Sequence, residues 1–256
     1  MSQMIVTKLD MIIKVKLCTG LDMEHPTSVL YLEHDGKVLL VDSEGNGPQK
    51  PIMNNIGPTK FRFPTAEEVS SLSLKWEVKN RFDILGIEVI KAHPSIEWPE
   101  DWAWKDECIS DDSVHPIARE SIYRSIHRLV SKVMVLNPRG EVLMGKIERG
   151  HFVGHWTLPG GYMDHDEHPA IGCVRETLEE MGIDIELSED APIITQRIFT
   201  NEGISFVSFT YRANWEGDNS QIRLKENEIS EYAWFSPTEA MSRAVSGFDA
   251  AALRRL

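Results

Sequence analysis

Residues 156–184, WTLPGGYMDHDEHPAIGCVRETLEEMGID, constrain this chain more than any other stretch. Leu158-Pro159-Gly160-Gly161 reads as a turn that exposes its backbone, and Pro169 sits where the first turn of a helix tolerates a missing N–H. The spacing predicts a helix over 169–181, ended by Gly182 as a left-handed cap with Ile183 as the apolar contact beyond it. On that helix Glu176, Glu179 and Glu180 occupy i, i+3 and i+4, which puts three carboxylates on one face within about 6 Å of one another. Like charges so close repel, and a divalent cation such as Mg²⁺, which takes oxygen ligands, would neutralise them. Arg175 reaches Glu179 one turn on, or Glu167 ahead of the helix, and holds a carboxylate through two N–H donors. Ala170, Cys173, Val174 and Thr177 are predicted to face a core, which makes Cys173 a packing thiol rather than a nucleophile.

The scaffold behind such a helix has ample chain to draw on. At 256 residues the sequence suits one large domain or two small ones, and two is the working expectation. With 41% hydrophobic residues, 26% charged, 17 Gly and 13 Pro, collagen-like, low-complexity and wholly disordered classes drop out. Forty acidic against 27 basic residues leave a net charge of -13, spread over both halves, which argues against nucleic-acid or anionic-lipid partners. Three cysteines, Cys18, Cys108 and Cys173, form no CxxC pair and point to neither a disulfide framework nor a zinc ribbon. The N-terminal stretch is broken by Lys8, Asp10, Lys14 and Lys16, unlike a signal peptide's apolar core, and no segment approaches roughly eighteen apolar residues. The expectation is a soluble, cytoplasmic protein with no membrane partner.

The first hundred residues read as strands and loops. MIIKVKL (11–17), SVLYLEHDGKVLLVD and FDILGIEVI are β-prone runs, with the Gly/Pro/Asn-rich EGNGPQKPIMNNIGP between them, which lacks P-loop spacing. Asp35-Gly36 marks a tight hairpin turn. VMVLNPRGEVLM (133–144) overlays on VLYLEHDGKVLL with the turn glycines aligned, either as a duplicated start of one fold or as two hairpins that look alike. Residues 94–114, acidic and Trp-rich, are expected to form the boundary, with Trp98, Trp102 and Trp104 pinning a linker or stacking on a base. After it, IARESIYRSIHRLV has helical apolar spacing. The layout expected is a β-rich N-terminal domain of unknown role over 1–112, a connecting helix over 113–130, and a second domain over 131–256.

Residues 161–183 resemble the Nudix box, Gly-x5-Glu-x7-Arg-Glu-aliphatic-x-Glu-Glu-x-Gly-aliphatic, and all its glycine and charged positions are met by Gly161, Glu167, Arg175, Glu176, Glu179, Glu180 and Gly182. Thr177 stands where an aliphatic residue is usual, and Asp166 where many members carry glycine. The resemblance implies an α+β fold: a Nudix α/β/α sandwich in the C-terminal half, preceded by a smaller β-rich domain that could be a degenerate copy. LKENEISEYAWFSPTEA is similar to the family's E-x-x-E-x-x-W-[FY] segment, which makes Glu228, and after it Glu231, a candidate to complete a metal site.

What the resemblance implies is a hydrolase acting on acid anhydrides: cleavage of a pyrophosphate bond in a nucleoside diphosphate derivative with Mg²⁺ or Mn²⁺. Glu176, Glu179, Glu180, Glu228 and the Gly160 carbonyl are the implied metal ligands, Glu179 the general base, Glu176 and Arg175 its catalytic neighbours. Candidate substrates are ADP-ribose, an NAD(H)-like dinucleotide or a nucleotide sugar, with His151, Phe152, His155 and Trp156 placed to line a pocket, and Trp156 equally placed to be a core residue. The zinc cysteines and SQPWPFPxS motif of NADH pyrophosphatases are absent. The rival readings are a Nudix-fold sensor that binds without hydrolysis, and an isopentenyl diphosphate isomerase, for which Cys173 lies on the wrong helix face. The N-terminal domain could supply a homodimer surface.

Overall fold

The computed structural model describes residues 26–52, 58–149, 152–199 and 201–256. The strand expected over 11–17, Cys18 and His151 lie outside them. The chain divides into two compact units, the first running to Ile126 and including Phe199–Ile204, the second His127–Ile198 with Ser205–Leu256.

The first unit holds β1 (Ser28–His34), β2 (Lys37–Val38), α1 (Ala66–Ser71), β3 (Trp76–Ile84), β4 (Ile87–Pro94), β5 (Ala103–Trp104), α2 (Lys105–Ile109) and α3 (Pro116–Ser125). Its sheet runs β3-β4-β1-β2-β5, with β4 and β1 parallel and the other neighbours antiparallel. Asp35 and Gly36 take positive φ, as the expected turn requires. FDILGIEVI, read as one run, is a hairpin: Leu85 and Gly86 both adopt positive φ, and β3 folds back on β4. On one face Leu30, Leu32 and Leu39 pack with Val69 of α1, and on the other Val29, Tyr31 and Leu40 pack with Cys108, Ile117 and Ile122 of α2 and α3. The Trp-rich segment is internal to this unit. Trp102 is buried in the core, while the exposed Trp98 and Trp104 flank the Lys37 ammonium at 4.8 and 4.9 Å.

The helix expected over 113–130 is shorter, ending at Ser125. Ile126 is already extended and a strand starts at His127. The backbone from His127 to Leu136 instead pairs in parallel with Ser205–Asn214 over ten residues, and that continuous ladder outweighs the helical spacing of Leu129 and Val130.

The second unit comprises β6 (His127–Leu136), β7 (Val142–Ile147), β8 (Trp156–Thr157), β9 (Gly160–Tyr162), α4 (Pro169–Met181), β10 (Glu186–Leu187), β11 (Ile193–Phe199), β12 (Ile204–Asn214), β13 (Ile229–Phe235), α5 (Pro237–Arg243) and α6 (Gly247–Leu253). Along the sheet lie β11-β12-β6-β7-β13, with β12 and β6 parallel, and β10, β9 and β8 adding to β12, β6 and β7. Val133, Val135 and Leu143 face Cys173 and Met181 of α4. Met134, Val142 and Met144 face Ala240 of α5 and Ala252 and Leu253 of α6. This is a three-layer α/β/α arrangement, with the alternation of β6 feeding both faces.

The two sheets share one strand order. Equivalent hydrogen bonds confirm it: Leu30 donates its N–H to Pro64 O at 2.7 Å and Val133 to Pro159 O at 3.1 Å. The antiparallel bridge Val41–Arg62 likewise repeats as Gly145–Thr157. One detail of the glycine-aligned overlay is corrected. Glu33 lies opposite Val38 where Leu136 lies opposite Val142, so the second turn is one residue longer and Leu30 matches Val133, not Met134. Because side chains alternate along a strand, that single step decides which face each residue serves.

Candidate active site

The second unit builds its site from the turn at Pro159–Gly161 and from α4. Lys132 and Ser131 of β6 pair with Gly160 and Gly161, which lays the turn flat on the sheet. Gly160 has φ +130, and a Cβ there would collide with the Ser131 carbonyl. A Cβ at Gly161 would sit 2.8–2.9 Å from both Glu176 carboxylate oxygens, so this glycine leaves the room the carboxylate fills.

Helix α4 spans the residues expected. His168 caps it by accepting the Ala170 N–H on Nδ1, Pro169 opens it, and Gly182 closes it at φ 66. Cys173 and Thr177 are buried, and Thr177 donates its hydroxyl to Cys173 O at 2.7 Å, so a threonine at this aliphatic position satisfies its polar atom inside the helix. Burial pushes the Cys173 thiol up to about 12, consistent with a packing role. Ahead of the helix, Asp166 takes φ 63, a conformation that favours glycine and that aspartate tolerates.

Arg175 organises the carboxylates. Its Nε and one terminal nitrogen donate to the two oxygens of Glu167 at 2.8 and 3.0 Å. Its other terminal nitrogen donates to Glu176 at 3.0 Å and Glu179 at 3.2 Å. Both arms of the sequence reading, Glu167 and Glu179, are therefore engaged at once. These hydrogen bonds hold the Glu167 carboxyl below its usual range.

The three glutamates of the helix face differ sharply in environment. Glu179 is exposed, bonded to Arg175 and, at 3.4 Å, to Lys225, and is held below its usual pKa by Arg175 first. Glu176 is part-buried and shifted upward, because burial outweighs Arg175. Glu180 is part-buried, accepts the Gly160 N–H at 3.0 Å, and the loss of solvent around its carboxyl pushes it up to about 7. Glu228 pairs with Arg149 and, at 2.9 Å, with Lys225, and its charge adds to the upward push on Glu180. Glu231, on β13, pairs with Lys146 at 2.9 Å at the surface. Among the described residues no three His, Cys, Asp or Glu side chains stand together as a metal-holding group. The donor set nonetheless suits a hard cation: all its atoms are oxygen, and Glu180 is a part-buried carboxylate that accepts a hydrogen bond from the Gly160 N–H.

Of the residues proposed to line a pocket, His155 is exposed, whereas Trp156 packs edge-on against Phe235 at 5.0 Å beside the α5 layer. Sequence reasoning missed Lys225, which lies far along the chain from the glutamates it pairs with, and the buried pair Lys132–Asp249. A lysine in the apolar run VSKVMVL and an aspartate in GFDAAAL were the available signals.

Comparison with known proteins finds relatives for the second half of the chain. The family model for the NUDIX domain matches residues 126–256, just over half of the chain. A MutT-like protein from Streptomyces ambofaciens is 30% identical over 90 residues, 35% of this chain and 53% of that protein. An RNA pyrophosphohydrolase from Roseobacter denitrificans is 37% identical over 70 residues, 27% of this chain and 43% of that one. The chain thus spans about half the length of the curated relatives it matches. Among solved structures, the MutT NUDIX hydrolase from Burkholderia pseudomallei is 24% identical with a TM-score of 0.43, covering 51% of this chain and 98% of that one. With the family match covering just over half of the chain, including the box helix and its turn, the chain belongs to the Nudix family.

Proposed function

We propose that this protein hydrolyses the pyrophosphate bond of a nucleoside diphosphate derivative with the help of Mg²⁺ or Mn²⁺. The observation that carries the reading is Glu180, a part-buried carboxylate bonded to the Gly160 turn with Glu176 on the neighbouring glycine, an arrangement that a divalent cation would complete. Glu176, Glu180, Glu179, Glu228 and the Gly160 carbonyl are the groups that would hold it. When bound, the cation polarises the phosphoryl oxygens and acidifies a water.

The chain's own residues do the rest. Arg175 keeps Glu176 and Glu179 oriented and is anchored by Glu167, so it acts on the glutamates rather than on substrate. Glu179, exposed on the same helix face as Glu176 and Glu180, is the group assigned to accept the proton of the attacking water. Its bonds to Arg175 and Lys225 would have to loosen as it does so.

The first unit repeats the strand order without the box. Where Gly160-Gly161 lead into α4, Thr65 directly caps the short α1, and Glu68 is consumed by the Thr65 N–H and by Arg62. Its role is in support, as a homodimer surface.

The test is product release, identified by mass, from ADP-ribose, NAD(H), nucleotide sugars, nucleoside triphosphates and 5′-triphosphate RNA, with Mg²⁺ and Mn²⁺. Turnover of one class that falls by orders of magnitude in Glu180→Gln is expected. No turnover in any arm, with a nucleotide still raising the melting temperature, would replace the hydrolase with a ligand sensor.

A further inference from the structure

Lys132 stands in the middle of β6, and its side chain is almost wholly buried. It forms an ion pair with Asp249 of α6 at 3.2 Å, the aspartate being fully buried. A buried pair of this kind contributes little net stability, since the cost of stripping water from both ions consumes most of the attraction. Here the arrangement is also incomplete: Asp249 Oδ1 has no hydrogen-bond partner among the described residues. A pair that is costly and half-satisfied calls for a use beyond holding the fold.

Its remaining bonds show where that use lies. Lys132 Nζ donates to Leu158 O at 3.0 Å, and the Leu158 N–H donates to Asp249 Oδ2 at 3.3 Å. Both backbone polar groups of one residue are thus held by the two members of the pair. Leu158 is two residues from Gly160, whose N–H points at Glu180 and whose position opposite Lys132 is fixed by strand pairing. The pair therefore ties α6 and β6 to the turn that carries the metal-site backbone.

We infer that Lys132 and Asp249 are positioning residues that clamp Leu158 from both its N–H and its C=O and thereby set the aim of the Gly160 amide and carbonyl at the metal site. This rests on the metal-dependent reading above. Groups that orient metal ligands without touching the ion typically change metal affinity by about 10–100-fold when removed.

The experiment compares Mn²⁺ binding, followed by electron paramagnetic resonance of the free ion, in four proteins: wild type, Glu180→Gln, Asp249→Asn, and the double variant Lys132→Met with Asp249→Leu. The double variant replaces the pair by apolar side chains and is expected to fold. It should bind Mn²⁺ about 10-fold more weakly than wild type, with kcat reduced in proportion and substrate KM little changed. Asp249→Asn keeps an oxygen for the Leu158 N–H and should fall between the two; should the double variant not fold, this variant decides. Wild-type Mn²⁺ affinity and kcat in a folded variant would reduce the pair to a structural role and overturn the inference. Failure of the metal reading itself looks different: wild type and Glu180→Gln would then bind Mn²⁺ equally poorly, and the inference would fall with it.

Discussion

At the scale of single residues, the distinction among Glu176, Glu179 and Glu180 is one of solvent, not of sequence. Glu180, pushed up to about 7, should make the metal-free protein's stability depend on pH. The folded carboxyl binds its proton more tightly than the unfolded one. Its contribution is therefore fully present below the unfolded pKa, near 4.5, and is lost as pH rises through about 7. Thermal melts in a chelator between pH 5 and pH 8 should show a loss on the order of 2–3 kcal/mol that Glu180→Gln abolishes. A pH dependence unchanged by that substitution would contradict the burial argument. The identities of these residues were legible in the sequence because spacing along a helix fixes which side chains are neighbours. Their inequality was not, because it depends on the turn that covers Glu180 and on Lys225, which comes from a distant segment.

Among the elements, α4 shows what local rules can and cannot specify. Its ends were readable from Pro169 and Gly182, since both act through the backbone and need no tertiary partner. Gly182→Ala should cost about 1–2 kcal/mol from the left-handed backbone alone, and more from its approach to Arg223, whose Cβ a new methyl would meet at 2.7 Å. Thr177→Val should change stability by less than about 1 kcal/mol, because the hydroxyl bonds only an i−4 carbonyl of the same helix. Chemical denaturation of both variants checks the pair of expectations, and a costly Thr177→Val would mean that the hydroxyl has a partner outside α4. The start of β6 was misread for the opposite reason. Its residues have helical spacing at 117–130, and only the distant β12 supplies the ladder that makes 127–136 a strand.

For the whole molecule, the duplicated strand order was faintly visible as two similar hairpins. The full correspondence was not, because most equivalent positions carry different residues and the β6–β7 turn is one residue longer. Among the described residues only the second unit carries the acidic helix. Mn²⁺ binding to the full chain should therefore be lost in Glu176→Gln/Glu180→Gln and untouched in Glu68→Gln. The latter should cost about 1 kcal/mol in stability through its cap and its Arg62 pair. Residual binding in the first variant that disappears on also changing Glu68 would give the first unit a cation site of its own.

A chain that carries the same strand order twice has a sorting problem during folding. The hairpin of β1 and β2 and that of β6 and β7 each need a parallel neighbour, and the described residues offer two, β4 and β12. A hairpin that docked on the wrong one would bury apolar side chains and still be misassembled, the trap characteristic of repeated domains. The ten-residue ladder of β6 against the five-residue one of β1, and the extra residue in the second turn, make the wrong pairings shorter or out of phase. Synthesis from the N-terminus adds order in time, since β4 emerges and can pair with β1 before β6 or β12 exists.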